Sequence, residues 1–169
     1  MKRLFDLIVS TAGLILLAPI FIVILFLILL FDRWPVFFIQ SRLGKNLVPF
    51  NIIKFRTMKS GISKSSEDDE IRQTKIGRIL RKTSIDELPV LINVLKGEMS
   101  LVGPRPLLLK YKDRFNKHQN RRHEILPGIT GLAQIQGRNE ISWSKKFDYD
   151  IHYVETQSFV MDLKILFKT

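Results

Sequence analysis

The sequence predicts an α+β, mostly helical chain: an N-terminal re-entrant membrane helix broken at Pro19, a small β-hairpin, amphipathic interface helices and a compact cytoplasmic domain. Three observations carry that expectation. Residues Leu7 to Phe31 contain no charge and have a proline at their centre. Two apolar-aromatic runs then flank the turn-forming stretch "LGKN". The remainder alternates short helical stripes with loops rich in glycine and proline. A length of 169 residues suits one domain with an appended segment, and the expected division is a membrane helix over 1–32 and a cytoplasmic domain with membrane-interface helices over 33–169.

The uncharged run is 25 residues long, about 37 Å as a helix, enough to cross the hydrocarbon of a bilayer. It is too long for a signal peptide, and no small-residue cleavage site follows it. Pro19 has twelve uncharged residues on either side and removes the bond to the carbonyl of Ile15, a loss of about 3 kcal/mol in an unrelieved helix. A kink that folds both limbs toward one face is one outcome; a span with a tolerated proline is the other. Charge favours the first. "MKR" precedes the run and Arg33 and Arg42 follow it, so positive-inside bias holds both ends in the cytoplasm.

Lys and Arg number 27 against 16 Asp and Glu, a net charge of +11. Residues 1–32 contribute nothing to it, because Lys2 and Arg3 offset Asp6 and Asp32. The cytoplasmic part therefore faces an anionic partner: nucleic acid, a headgroup surface or a phosphorylated substrate. The membrane segment and the lack of a basic-aromatic recognition module argue against nucleic acid. With no cysteine, disulfides, thiolate catalysis and cysteine-ligated zinc are excluded. His118, His123 and His152 are too irregularly spaced to suggest a metal site.

After the membrane segment, Val36–Gln40 and Phe50–Phe55 read as the two strands of a hairpin. "KSGISKSSEDDEIRQTK" is polar and aperiodic, a mobile loop. "IGRILRKTS" sets Ile76, Ile79 and Leu80 against Arg78, Arg81 and Lys82, as in a helix lying at a headgroup surface or on a core. In "SIDELP", Ser84 and Glu87 have capping-box spacing, but a helix starting there would carry Pro89 in its interior. A start nearer Asp86 or Glu87 puts Pro89 in the first turn. Either start leaves Asp86 and Glu87 at a helix N-terminus, pointing in different directions because adjacent helical residues do not face each other. Acidic residues there offset the dipole, and the same position suits a phosphate handled through a metal.

Beyond Gly97, "GPRP" forms a rigid loop presenting Arg105 between Pro104 and Pro106, for phosphate or for a loop salt bridge. "LPGITGLAQIQGRN" reads as short extended pieces, and two helices begin near Ser142 and Ser158.

Together these residues resemble the bacterial sugar transferases, specifically the small monotopic phosphoglycosyl transferases that start glycoconjugate assembly on a polyprenol carrier. The matching blocks are "KFRTM", "SIDELPVLINVLKGEMSLVGPRP", "PGITGLAQIQGRN" and "SWSKKFDYDIHYV", in the family's order. The resemblance implies that residues 33–169 are a catalytic domain on the cytoplasmic face of the bacterial inner membrane. Its partners would be a UDP-sugar, polyprenyl (undecaprenyl) phosphate and inner-membrane lipids, with homo-oligomerisation left open. Asp86 would attack the β-phosphate of the donor, release UMP and carry the phosphosugar. Mg²⁺ would sit at the dyad, Asp86 and Glu87, with Glu87 as ligand or its close support. Arg81 and Arg105 would hold phosphates, and Lys54, Arg56, Gln134 and Arg138 would belong to general substrate binding. Relatives often have serine before the helix-breaking proline, where this chain has Ala18. Direct metal-dependent transfer without a covalent intermediate, and a membrane-anchored scaffold without chemistry, are the competing readings. No residue pattern separates glucose from other sugars; the small-chain resemblance points to an acetamido sugar.

Overall fold

A computed structural model describes residues 1–31, 34–59, 72–137 and 141–169. Most of the polar, aperiodic segment and Arg138 lie outside the described residues.

The chain opens with α1 (Lys2–Phe31), one helical element with Pro19 inside it. Its two ends dock on the same body. At the N-terminal end, Lys2 Nζ donates to Asp162 Oδ2 at 2.7 Å and Val102 O at 3.0 Å. Arg3 donates to the carbonyls of Val94 and Leu95, and Asp6 accepts from Ser100 Oγ and the Leu101 amide. At the other end Ile24 and Ile28 are buried with Val36, Phe55 and Leu80. Between these anchorages Ile15, Leu16, Ile22 and Val23 are exposed. The first charges of the chain therefore serve internal contacts as well as the flanking-charge pattern read from the sequence.

The hairpin forms as expected and is longer than its apolar runs. β1 (Phe37–Leu43) pairs antiparallel with β2 (Pro49–Phe55), Phe37 opposite Phe55 and Leu43 opposite Pro49. Polar Ser41 and Arg42 extend the first strand because the ladder continues through them: Ser41 pairs with Asn51 and Arg42 with Phe50. A 3₁₀ turn, Lys45–Leu47, connects the strands, with Asn46 and Leu47 at positive φ.

α2 (Lys75–Lys82) starts at Thr74, whose hydroxyl accepts from the Gly77 amide at 2.8 Å. Gly77 lies against the backbone of Thr57, where a Cβ would come within 2.1 Å of the Thr57 carbonyl oxygen. That close approach ties α2 to the end of β2. The capping box at Ser84 does not form. Ser84 has φ 57° and its side chain makes no cap bond, while Ile85–Glu87 form a separate 3₁₀ turn. α3 (Val90–Lys96) begins only after Pro89. The missing proline N–H is harmless at that boundary and would be an interior defect in a helix begun at Ser84. Asp86 and Glu87 thus precede the α-helix in a tighter turn.

α3 ends at Gly97, φ 84°, and leads to β3 (Ser100–Val102), which pairs parallel with β4 (Gly128–Thr130). The "LPGITGLAQIQG" stretch is extended only over β4. Its continuation, α5 (Leu132–Ile135), is a helical turn closed by the Gln134 and Ile135 amides on Gly131 O; the short α4 (Lys117–Asn120) lies upstream. The last two helices start where the sequence placed them. α6 (Trp143–Thr156) is capped by Ser142 and α7 (Phe159–Phe167) by Ser158. The apolar α7 buries Asp162, which accepts from Lys2 and from Tyr153 Oη. Leu101, Val102, Leu132, Tyr153 and Ile165 form the core that joins both short strands to these helices.

Candidate active site

Four elements converge on the turn that carries the two carboxylates. β2 supplies Lys54, α2 supplies Arg81, the "GPRP" loop supplies Arg105, and β1 supplies Arg42. Glu87 Oε1 accepts from Lys54 Nζ at 2.5 Å and from Arg105 Nη2 at 3.3 Å. Asp86 is buried, 9 % exposed, and the charges of Lys54 and Arg81 act on it. Arg81 Nε in turn donates to Thr57 Oγ1 at 2.9 Å. Glu87 bonds Lys54 and Arg105, while Asp86 feels the charges of Lys54 and Arg81.

Their acidities diverge for the same reason. Burial raises the Asp86 pKa, with the Glu87 charge adding to it, against the pull of Lys54 and Arg81. Burial also acts to raise Glu87, but Lys54 and Arg105 outweigh it, so its pKa lies below the ordinary glutamate value. Lys54 is therefore the cation common to both carboxylates. Burial and the neighbouring Arg105 lower the pKa of Arg42, whose Nη2 donates to Gln40 Oε1 and Nη1 to Pro106 O.

Beside Glu87 opens a cavity of about 680 Å³. Arg42, Glu87 and Arg105 supply charge to its wall, and Tyr111, Trp143 and Phe147 supply aromatic surface. Of the residues expected from the sequence, Glu87, Arg105 and Gln134 line this cavity. Lys54 reaches a small adjoining recess that shares Arg42, Glu87 and Arg105. Asp86, Arg81 and Arg56 do not line either space. Arg56 follows β2, its amide donating to Val36 O at 2.8 Å. The Gln134 amide is enclosed, with no hydrogen-bond partner among the described residues.

Several cavity residues were not expected: Arg42, Tyr111, Arg122, and the stripe Trp143, Lys146, Phe147 and Asp150. That stripe has the spacing i, i+3, i+4, i+7 of one helical face, so it could have been found by asking which face of α6 is neither wholly apolar nor wholly charged. Arg42 gave no such signal, because a single basic residue in a hairpin strand reads as solvent-exposed.

A family model described as bacterial sugar transferase matches residues 1–169. The chain belongs to the bacterial sugar transferase family. This sugar transferase is 53 % identical over 171 residues to an uncharacterized sugar transferase, EpsL, of Bacillus subtilis, covering 98 % of the chain and 83 % of that relative. It is 37 % identical to the exopolysaccharide production protein ExoY of Sinorhizobium fredii, covering 99 % of the chain and 83 % of the relative. A UDP-glucose:undecaprenyl-phosphate glucose-1-phosphate transferase of Klebsiella pneumoniae is 41 % identical over 181 residues. The match takes in 99 % of this sugar transferase and 39 % of that longer protein. Its similarity to enzymes of this kind makes the chain an enzyme, and the scaffold reading without chemistry falls away.

The donor set fits one hard divalent cation in one respect. No group of three His, Asp or Glu side chains gathers among the described residues, but Mg²⁺ commonly takes one or two carboxylates and completes its shell with water and substrate phosphate. Asp86 and Glu87 supply oxygen donors of that type.

Proposed function

We propose that this sugar transferase moves a sugar 1-phosphate from a UDP-sugar to undecaprenyl phosphate, releasing UMP, through a phosphosugar held on Asp86. The observation that carries the reading is the single turn in which Asp86 and Glu87 share Lys54 and are flanked by Arg81 and Arg105. A diphosphate entering the cavity meets Arg105 and Arg42 first. Guanidinium groups suit it, because their planar forks bind phosphate oxygens bidentately. Their charge also lowers the repulsion between the donor and an attacking carboxylate.

In the first half of the reaction an Asp86 carboxylate oxygen forms a bond to the β-phosphorus, and the bond from that phosphorus to the bridging oxygen breaks. The electron pair leaves with UMP. In the second half a phosphate oxygen of undecaprenyl phosphate attacks the same phosphorus, and the Asp86 carboxylate departs. Carboxylates serve as covalent nucleophiles toward phosphoryl groups in other enzymes. Burial favours this role by stripping water from Asp86, while Lys54 and Arg81 keep its ionised form accessible. Glu87, held by Lys54 and Arg105, orients those two cations. Asp86 and Glu87 would hold Mg²⁺, whose chemistry there would be to supply positive charge to the phosphates. Lys54, Arg56, Gln134 and Arg138 complete donor binding in this reading.

The membrane arrangement follows from α1. Both its ends contact one body, which supports a re-entrant helix bent near Pro19 that enters and leaves on the face carrying residues 33–169. We assign that face to the cytoplasmic side of the inner membrane, where the basic flanks and the nucleotide donor belong. The exposed apolar middle of α1 then sits among lipid tails.

The test is a screen of UDP-sugars for UMP release with undecaprenyl phosphate present. Relatives named for UDP-glucose favour glucose as the sugar, and the small-chain resemblance favours an acetamido sugar. Release from at least one UDP-sugar, dependent on Asp86, supports the reading. No UMP from any UDP-sugar would overturn it.

A further inference from the structure

The "GPRP" loop is held by a chain of carbonyl contacts with an unusual member. Pro104 O accepts from the Gly128 amide at 3.0 Å, Pro106 O from Arg42 Nη1 at 3.3 Å and Leu107 O from the Leu43 amide at 2.8 Å. The carbonyl of Arg105 itself accepts from Arg122 Nη2 at 2.8 Å. Arg122 is 4 % exposed, and its charge is met by Asp150, with Nε and Nη2 at 3.0 and 2.7 Å from Asp150 Oδ2. Asp150 is also buried. The Arg122 guanidinium lies 5.5 Å from the centre of the Phe147 ring.

We propose that Arg122 and Asp150 are a positioning pair that aims Arg105 at the donor phosphates, an inference that rests on the phosphate role given to Arg105 above. Burying an arginine and an aspartate strips water from both charges before their attraction is counted, and an apolar pair would often serve stability as well. The pair does what an apolar pair cannot. One planar fork grips Asp150 on α6 and the Arg105 carbonyl at once, linking the helix that forms the aromatic cavity wall to the residue that reaches Glu87. The Arg105 side chain is half-exposed, with a single 3.3 Å contact to Glu87, so its direction depends on its backbone. Flanking prolines fix φ at Pro104 and Pro106, and Pro106 confines Arg105 to extended conformations, within which the groups that hold its carbonyl set its direction. Arg122 is that group. Both residues stand in the cavity wall, and in this proposal they act through Arg105.

Binding of UDP with Mg²⁺, measured by calorimetry on the full chain, tests this without requiring turnover or a known sugar. Arg122→Lys keeps the charge and loses the fork; Asp150→Asn keeps the shape and loses the charge. Each is expected to weaken UDP binding by about tenfold in the parent, a coupling typical of residues in one hydrogen-bonded network. In an Arg105→Ala background each should weaken it by less than about twofold, because the residue they act through is gone. Equal losses in both backgrounds would overturn the proposal and leave the pair a structural brace. If Arg122→Lys does not fold, Asp150→Glu, which keeps both charges and shifts the fork by one methylene, reads the same cycle. A large effect of Arg105→Ala with equal losses sinks only the positioning role. No effect of Arg105→Ala sinks the phosphate assignment and the positioning role together.

Discussion

Replacing Lys54 by methionine removes a cation shared by both carboxylates and keeps the length of the side chain. The Lys54–Glu87 pair is close, 2.5 Å between Nζ and Oε1, and the two side chains are 17 % and 25 % exposed. At an effective dielectric of about 20, unit charges roughly 4 Å apart attract by about 4 kcal/mol. Desolvation of both groups offsets much of that, leaving about 1 to 2 kcal/mol for a partly buried pair. Without that cation both carboxylates become harder to ionise. The sign is fixed: losing a positive charge disfavours carboxylate, and the acid limb of kcat/KM must move to higher pH. Because the pair is coupled, the limb reports the dyad rather than either residue alone. UMP release from the UDP-sugar found by the donor screen, measured across the acidic to neutral range, reads the shift. A uniform loss at every pH, with the limb unmoved, would refute the reasoning and reduce Lys54 to a phosphate ligand.

Other outcomes follow from the same contacts. Asp86→Asn should melt at the same temperature as the parent near neutral pH, or a few degrees higher. Burial raises the Asp86 pKa, so its ionisation removes stability as pH rises through that value, and the amide avoids the loss. A fall in melting temperature of more than about 4 °C, on the order of 1 kcal/mol for a chain of this size, would mark Asp86 as structural. The parent has no cysteine, so single thiols report topology cleanly. A cysteine added ahead of Met1 and Trp34→Cys, at the two ends of α1, should both resist an impermeant thiol reagent in intact cells; labelling of one end alone would show a true span.

Much of this arrangement was legible in the sequence, and what was not had local causes. The long uncharged run, the hairpin around "LGKN" and the serine-capped starts of α6 and α7 are set by short-range signals that the fold keeps. The carboxylate turn was half legible. Pro89 announced a boundary, but the left-handed Ser84 and the 3₁₀ turn that follows it have no residue signal such as a glycine to mark them. Glu87, Arg105 and Lys54 were expected at the site and meet there. Arg42 and the Arg122–Asp150 pair were missed, because each matters through a contact 28 to 64 residues away along the chain. The anchoring of Lys2 to Asp162, 160 residues apart, was hidden for the same reason, and it gives an apparent flanking charge a part-buried internal partner.

The covalent intermediate is the centre of this account, and trapping it is the most direct measurement. Enzyme mixed with a UDP-sugar and Mg²⁺, without undecaprenyl phosphate, should release UMP up to about one equivalent per active site and then slow, as a ping-pong burst does. The peptide containing Asp86 should gain the mass of one phosphosugar, and Asp86→Asn should abolish both the burst and the adduct. UMP appearing only when undecaprenyl phosphate is present, with no adduct on Asp86, would contradict the account and favour direct transfer, with both carboxylates serving only to hold the metal.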